Sequence, residues 1–116
     1  MIAAAIVAGN TVVFKPSSDS PAISYLLMKV LEEAGVPAGV VNLVYGSGSV
    51  VGDYLSGHPK IKYVGFTGSK EVGLRVAQQA ANLENGQHWF KRVILELGGK
   101  NAIIVDANTA LICLPS

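Results

Sequence analysis

Glu96 is the lone carboxylate in an apolar run, Val93-Ile-Leu-Glu-Leu-Gly-Gly99. Stripped of water there, it would make a competent general base. On the outward face of an edge strand it would be an ordinary solvated side chain, and the run allows both. Lys15 closes a β-branched run, Thr11-Val-Val-Phe14, beside Pro16. It could donate to ribose hydroxyls or to phosphate, or simply be a solvated strand-end lysine. Ser69 opens a helical stretch, where the first backbone N–H groups lack partners and carry partial positive charge. A pyrophosphate could sit there, with the hydroxyl as a further donor; an ordinary N-cap serine fits as well. Gly73 lies inside the same stretch. A helical glycine costs about 1 kcal/mol relative to alanine, so it marks close packing or a nearby ligand.

Other reactive residue types carry less. His58 precedes Pro59 in a polar turn and His88 lies in the loop before Trp89; neither has a partner at metal-ligand spacing. Trp89-Phe90 reads as local core or an interface anchor. Cys113 sits in an apolar patch with no basic neighbour to favour its thiolate. Two phosphate motifs fail. No glycine opens a G-x-x-x-x-G-K-[ST] loop, and after Gly46 and Gly48 the third glycine of a dinucleotide fingerprint falls at Gly52, one residue late.

These residues need elements to hold them. Thr11–Phe14, Val40–Tyr45, Ile61–Phe66 and Val93–Leu97 read as strands, with Ala102–Val105 as a fifth. Pro21, preceded by Ser20 as N-cap, starts a helix in which Ile23, Leu26, Leu27, Val30, Leu31 and Ala34 form one buried stripe. Gly35 ends it in the C′ position and Pro37 blocks continuation. A shorter helix spans about Ser49 to Ser56. A third, capped by Ser69, turns Val72, Val76, Ala77 and Ala80 inward. Met1 to Ala8 resembles the tail of a buried helix, and Asn82 to Gln87 a polar loop. Strand and helix alternate three times, which predicts an α/β fold: a parallel, doubly wound, Rossmann-like sheet present as a partial domain. In such sheets ligands bind beyond the carboxyl ends of the strands. Those ends here carry Lys15-Pro16-Ser17-Ser18, Gly46-Ser47-Gly48, Thr67-Gly68-Ser69 and Glu96-Leu97-Gly98-Gly99. Tight turns need such small residues anyway, but four together favour a site.

Composition sets outer limits. The 116 residues suffice for one small α/β unit, and 50 % apolar content with 15 % charged excludes a disordered chain. A net charge of +1 without a Lys/Arg run argues against a nucleic-acid partner. The opening apolar stretch is far short of the roughly 20 residues that cross a bilayer and lacks the basic start of a signal peptide. One cysteine forms no internal disulfide. A cytoplasmic chain without membrane or nucleic-acid partners is the expectation.

The residues together resemble the aldehyde dehydrogenase superfamily over nearly the whole chain. The matching pieces are Gly9-Asn-Thr-Val-Val-Phe-Lys-Pro16, Ala34-Gly-Val-Pro-Ala-Gly-Val-Val-Asn42, Phe66-Thr-Gly-Ser69 with Gly73, and Leu95-Glu-Leu-Gly-Gly-Lys100. Within the family, Gly86-Gln87 followed by Trp89-Phe-Lys-Arg92 is most similar to the 1-pyrroline-5-carboxylate dehydrogenases, which oxidise glutamate 5-semialdehyde to glutamate.

The resemblance implies roles. Lys15 would bind the adenosine ribose of NAD, with Ser17 and Ser18 on the same tip. Ser69 would bind the pyrophosphate, with Phe66 and Gly68 on its approach. Gly48, Gly52 and Val72 would line the adenine slot, and Leu97 and Gly98 the nicotinamide half. Glu96 would be the general base for a thioester formed on a cysteine. The family's ribose acid, three residues after the lysine, is Ser18 here, so NADP is expected to be tolerated. No metal is implied, and the parent would be a homo-oligomer acting on a small aldehyde. The nucleophilic cysteine follows the glutamate by a few dozen residues in the family, whereas this chain runs 20 residues past Glu96. Cys113 lacks the flanking pattern and is not assigned. Residues 1–105 thus read as part of an NAD(P)-binding domain running into the start of a catalytic domain, with 106–116 a divergent tail. The expectation is a fragment inactive alone; the alternative is a non-catalytic nucleotide-binding or interaction module of the same fold.

Overall fold

The computed structural model of the protein describes residues 1–100 and 102. The element order is α1 (Ile2–Val7), β1 (Val12–Phe14), α2 (Pro21–Glu33), β2 (Val41–Leu43), a π-helical turn (Gly48–Gly52), α3 (Asp53–Gly57), β3 (Tyr63–Thr67), α4 (Lys70–Ala81) and β4 (Arg92–Glu96). The expected strand at 102–105 and the tail at 106–116, with Cys113, lie outside the described residues.

All pairing is parallel, as alternation of strand and helix requires. β1 pairs with β2 from Val12–Val41 to Phe14–Leu43, and β3 with β4 from Tyr63–Arg92 to Thr67–Glu96. Among the described residues the four strands form two ladders rather than one continuous row. The halves meet through other elements. Met1 lies over β3, where a Cβ on Gly65 would stand 2.9 Å from its Sδ. The π turn leads directly into α3, and α3 packs on α4.

Helix α4 forms as its sequence predicts. The Ser69 hydroxyl accepts the Val72 N–H at 3.3 Å, and Gly73, Val76 and Ala80 are buried at successive turns. Helix α2 ends as predicted too. Gly35 takes φ +82°, its N–H donates to the Glu32 carbonyl, and the Val36 N–H reaches back to Leu31, the paired bonds of a Schellman stop.

Four expectations are corrected. The stripe on α2 is not buried: Ile23, Leu26 and Val30 are 71 %, 61 % and 60 % exposed, and Ser24 is the helix's one buried residue. A helix of this length runs about 20 Å, whereas the three-residue strands beneath it offer about 10 Å of sheet. Ser20 sits at the N-cap position without a side-chain bond; instead its carbonyl accepts the Ser24 hydroxyl at 2.7 Å. The helix expected at Ser49–Ser56 divides into the π turn and α3, and α1 buries none of its residues.

Candidate functional site

The candidate residues gather at the carboxyl ends of the strands, in two clusters. At the tips of β1 and β2, the Lys15 ammonium donates to the carbonyls of Pro16 (2.7 Å) and Gly46 (3.3 Å). Its alkyl chain passes the π turn, where a Cβ on Gly52 would meet the Lys15 Cε at 3.8 Å. Gly48 opens on free space. Ser17 and Ser18 are exposed on the same tip. The Ser17 hydroxyl accepts the Asp19 N–H at 3.3 Å and donates to the Asp19 carboxylate at 3.4 Å, which places an acid one residue beyond Ser18.

The second cluster is more tightly built. The Gly68 N–H donates to the Glu96 carbonyl at 3.1 Å, so the turn that starts α4 is bonded to the last residue of β4. Ser69 is exposed at the helix start, where the N–H groups of the first turn have no preceding carbonyl to bond. Glu71 stands in that turn and opposes an anion, while Lys70 favours one. Strand alternation exposes Glu96 and turns Leu95 and Leu97 inward. The apolar surround considered for Glu96 is therefore absent: the carboxylate occupies the open face. Phe66 lies half-buried against Gly68, whose Cβ would meet its ring Cζ at 2.6 Å. Gly98 follows at φ +76°, a left-handed turn that glycine adopts without strain.

Gly73 resolves to close packing. A Cβ there would stand 3.0 Å from the Leu97 Cδ1 and 3.2 Å from its Cγ, with Cδ2 closer still. Val72, one residue earlier, is half-buried. Sequence reasoning noted the costly helical glycine but could not name its partner, 24 residues away by number. It missed the Gly46 carbonyl that holds Lys15. It also missed Asp53, whose buried Oδ1 lies 3.2 Å from the Arg75 Nε. That pair has the distance of an ion pair without the alignment of a hydrogen bond, and it joins the α3 end of the first cluster to α4.

Among the described residues, no hydrogen bond or ion pair links Lys15 directly to Ser69 or Glu96. Two cavities open at the opposite, amino end of β3 and β4. One of about 440 Å³ is lined by Asp53, Tyr54, His58, Gln79 and Glu84, and one of about 240 Å³ by Lys62, Tyr63, Trp89, Phe90 and Arg92. Neither contains a strand-tip candidate. Phe90 is not core, being 82 % exposed, whereas Trp89 is half-buried and donates to the Ile61 carbonyl at 3.3 Å beneath the Lys62 ammonium. Among the described residues there is no group of three metal-ligating side chains and no helix long and apolar enough to cross a membrane.

The sequence profile described as "Aldehyde dehydrogenase family" matches residues 1–112. The chain is 55 % identical over 111 residues to a 1-pyrroline-5-carboxylate dehydrogenase of Bacillus cereus, covering 96 % of this chain and 22 % of that protein. It is similar to a solved structure of proline utilization A from Bdellovibrio bacteriovorus, with a TM-score of 0.83 and 47 % identity over 85 % of this chain and 10 % of that one. A Thermus 1-pyrroline-5-carboxylate dehydrogenase solved with bound NAD superposes with a TM-score of 0.79 at 46 % identity, over 82 % of this chain and 18 % of that one. The chain thus spans about a fifth of the length of the curated relatives it matches.

Proposed function

We propose that this chain, which belongs to the aldehyde dehydrogenase family, is the dinucleotide-binding part of an enzyme that oxidises L-glutamate 5-semialdehyde to glutamate with NAD, tolerating NADP. The observation that supports this most is the 3.1 Å bond from the Gly68 N–H to the Glu96 carbonyl, which ties the start of α4 to the strand tip that carries Glu96. It occurs in a chain 55 % identical to 1-pyrroline-5-carboxylate dehydrogenases. Residues 1–105 would be dinucleotide-binding domain running into the start of the catalytic domain, within a cytoplasmic homo-oligomer.

The donor set fits a dinucleotide. Lys15 supplies a cation at one tip, the first turn of α4 supplies unpaired N–H groups at the other, and Gly48 leaves open space above the π turn. Lys15 would hold the adenosine ribose beside Ser17 and Ser18. Gly48, Gly52 and Val72 would line the adenine slot. Ser69, flanked by Phe66 and Gly68, would hold the pyrophosphate, and Leu97 and Gly98 would meet the nicotinamide half. When bound, the nicotinamide ring supplies the hydride acceptor. In the net reaction the aldehyde carbon loses a hydride and gains the oxygen of one water, and two protons are released. Glu96, exposed at the tip of β4, would take the first of those protons as water attacks the acyl intermediate. Cys113 is not assigned as the nucleophile, and the chain alone is expected not to turn over.

The test uses the full-length protein carrying this segment, assayed with L-glutamate 5-semialdehyde and NAD. Glu96→Gln is expected to lower steady turnover by about 10²- to 10⁴-fold, the range for loss of a general base. Unchanged turnover overturns the assignment. Calorimetric titration of the chain with NAD addresses the site itself: absence of heat counts against a preformed dinucleotide site and favours a non-catalytic module.

A further inference from the structure

We infer that Gly73 is a positioning residue for Glu96, acting through Leu97; this rests on the proposed role of Glu96 as base. Leu97 is the first residue beyond β4, and alternation directs its side chain towards α4 while Glu96 faces out. It lands on the one buried position of α4 that has no side chain, with Cδ2, Cδ1 and Cγ all inside the volume a Cβ on Gly73 would need. The Glu96 carbonyl is held from the other side by the Gly68 N–H at 3.1 Å. Glu96 is therefore pinned at two points, by a hydrogen bond to its own backbone and by the seat of the next side chain. Beyond Leu97 the chain turns left-handed at Gly98. The seat is the last packed contact before that turn.

A methyl on Gly73 leaves Leu97 no room. The helix backbone is fixed by its own ladder, and Gly73 donates its N–H to the Ser69 carbonyl at 3.0 Å. Leu97 therefore leaves its seat, and the strand tip that carries Glu96 loses its last packed contact. A carboxylate displaced by about 1 Å loses about 10²-fold in rate, and the loss falls on the step that needs the base. In the proposed reaction hydride transfer would precede that step and would be spared.

In the full-length protein carrying this segment, rapid mixing separates the first-turnover burst of reduced dinucleotide from steady turnover. Gly73→Ala is expected to keep the burst while steady turnover falls about 10²-fold, the same split expected of Glu96→Gln. The double variant Gly73→Ala with Leu97→Ala, which removes all three crowded atoms, is expected to regain at least part of that turnover. Unchanged turnover in Gly73→Ala overturns the inference, as does equal loss of burst and turnover that Leu97→Ala does not relieve. If Gly73→Ala fails to fold, Leu97→Ala alone empties the seat, assayed at saturating NAD because Leu97 also borders the proposed nicotinamide site: a loss of steady turnover larger than any loss of burst supports the inference, and unchanged turnover or an equal loss of both overturns it. Glu96→Gln separates the two claims. Normal turnover in that variant removes the base assignment itself, whereas impaired Glu96→Gln beside normal Gly73→Ala removes only the positioning role.

Discussion

The two ladders carry their candidate residues on very different supports. In the β3–β4 half, α4 runs about 18 Å over strands of about 17 Å, so helix and sheet end together and Gly73, Val76 and Ala80 are covered. In the β1–β2 half, α2 is about as long, but its strands have three residues each, and most of its apolar stripe has nothing beneath it. The tips differ accordingly. Glu96 is fixed by a backbone bond and by the seat of Leu97, whereas Lys15 is a long flexible chain reaching two carbonyls across an open turn. A base must be held in place, and a cation that grips a ribose can adapt. Length matching between helix and strand thus separates the tip proposed to be catalytic from the tip proposed to bind.

That contrast can be broken by substitution. Ala80, 3 % exposed at the α4 interface, has no space for a larger side chain. Ala80→Leu is expected to destabilise the purified chain by about 1–3 kcal/mol in urea unfolding, while Leu26→Ser on α2 stays within about 0.5 kcal/mol and lowers self-association seen by light scattering. Comparable losses from both would remove the distinction between the halves. At the binding tip, Ser18→Glu is expected to raise the KM for NADP about tenfold relative to NAD in the full-length protein. A like-charge contact near 4 Å costs about 1 kcal/mol in water and more as the dielectric falls. Strict NAD dependence before the change would refute the tolerance proposed for Ser18.

The smallest effect belongs to the surface of α2. The Lys29 ammonium bonds Glu32 at 2.9 Å, holding its carboxyl below the usual carboxylate range, and Glu32 in turn raises Lys29. The carboxylate side of the pair is fully stabilising above the ordinary Glu range and is lost as pH falls through the depressed value. The ammonium side is present below the ordinary Lys range and is lost as pH rises through the raised value. Both groups are exposed, so Glu32→Gln should leave the melting midpoint at neutral pH nearly unchanged. A large shift there would mean that α2 is better supported than its exposed stripe indicates.

Much of the fold was legible because its signals are local. Gly35 and Pro37 stop α2, Ser69 caps α4, and β-branched runs alternate with helical ones, as parallel strands require. The π turn was not legible: Gly46-Ser-Gly-Ser-Val-Val-Gly52 reads as a plain turn into a helix, and it is the Gly52 N–H donating to the Ser47 carbonyl five residues back, at 3.3 Å, that shows where the coil widens. Nor was the fate of the α2 stripe. Helical periodicity states which face is apolar and says nothing of what lies opposite.

For the candidate site, residue types and order along the chain were enough to put Lys15, Ser69 and Glu96 at strand ends, since a βα turn writes its small residues into adjacent positions, and the resemblance of their motifs to a known family supplied the dinucleotide. Tertiary structure alone decided that Glu96 faces solvent, that Lys15 belongs to one ladder and Ser69 to the other, and that Gly73 packs against Leu97. Those outcomes depend on which side chain a neighbouring element brings within a few ångströms, and spacing along one segment does not encode that distance.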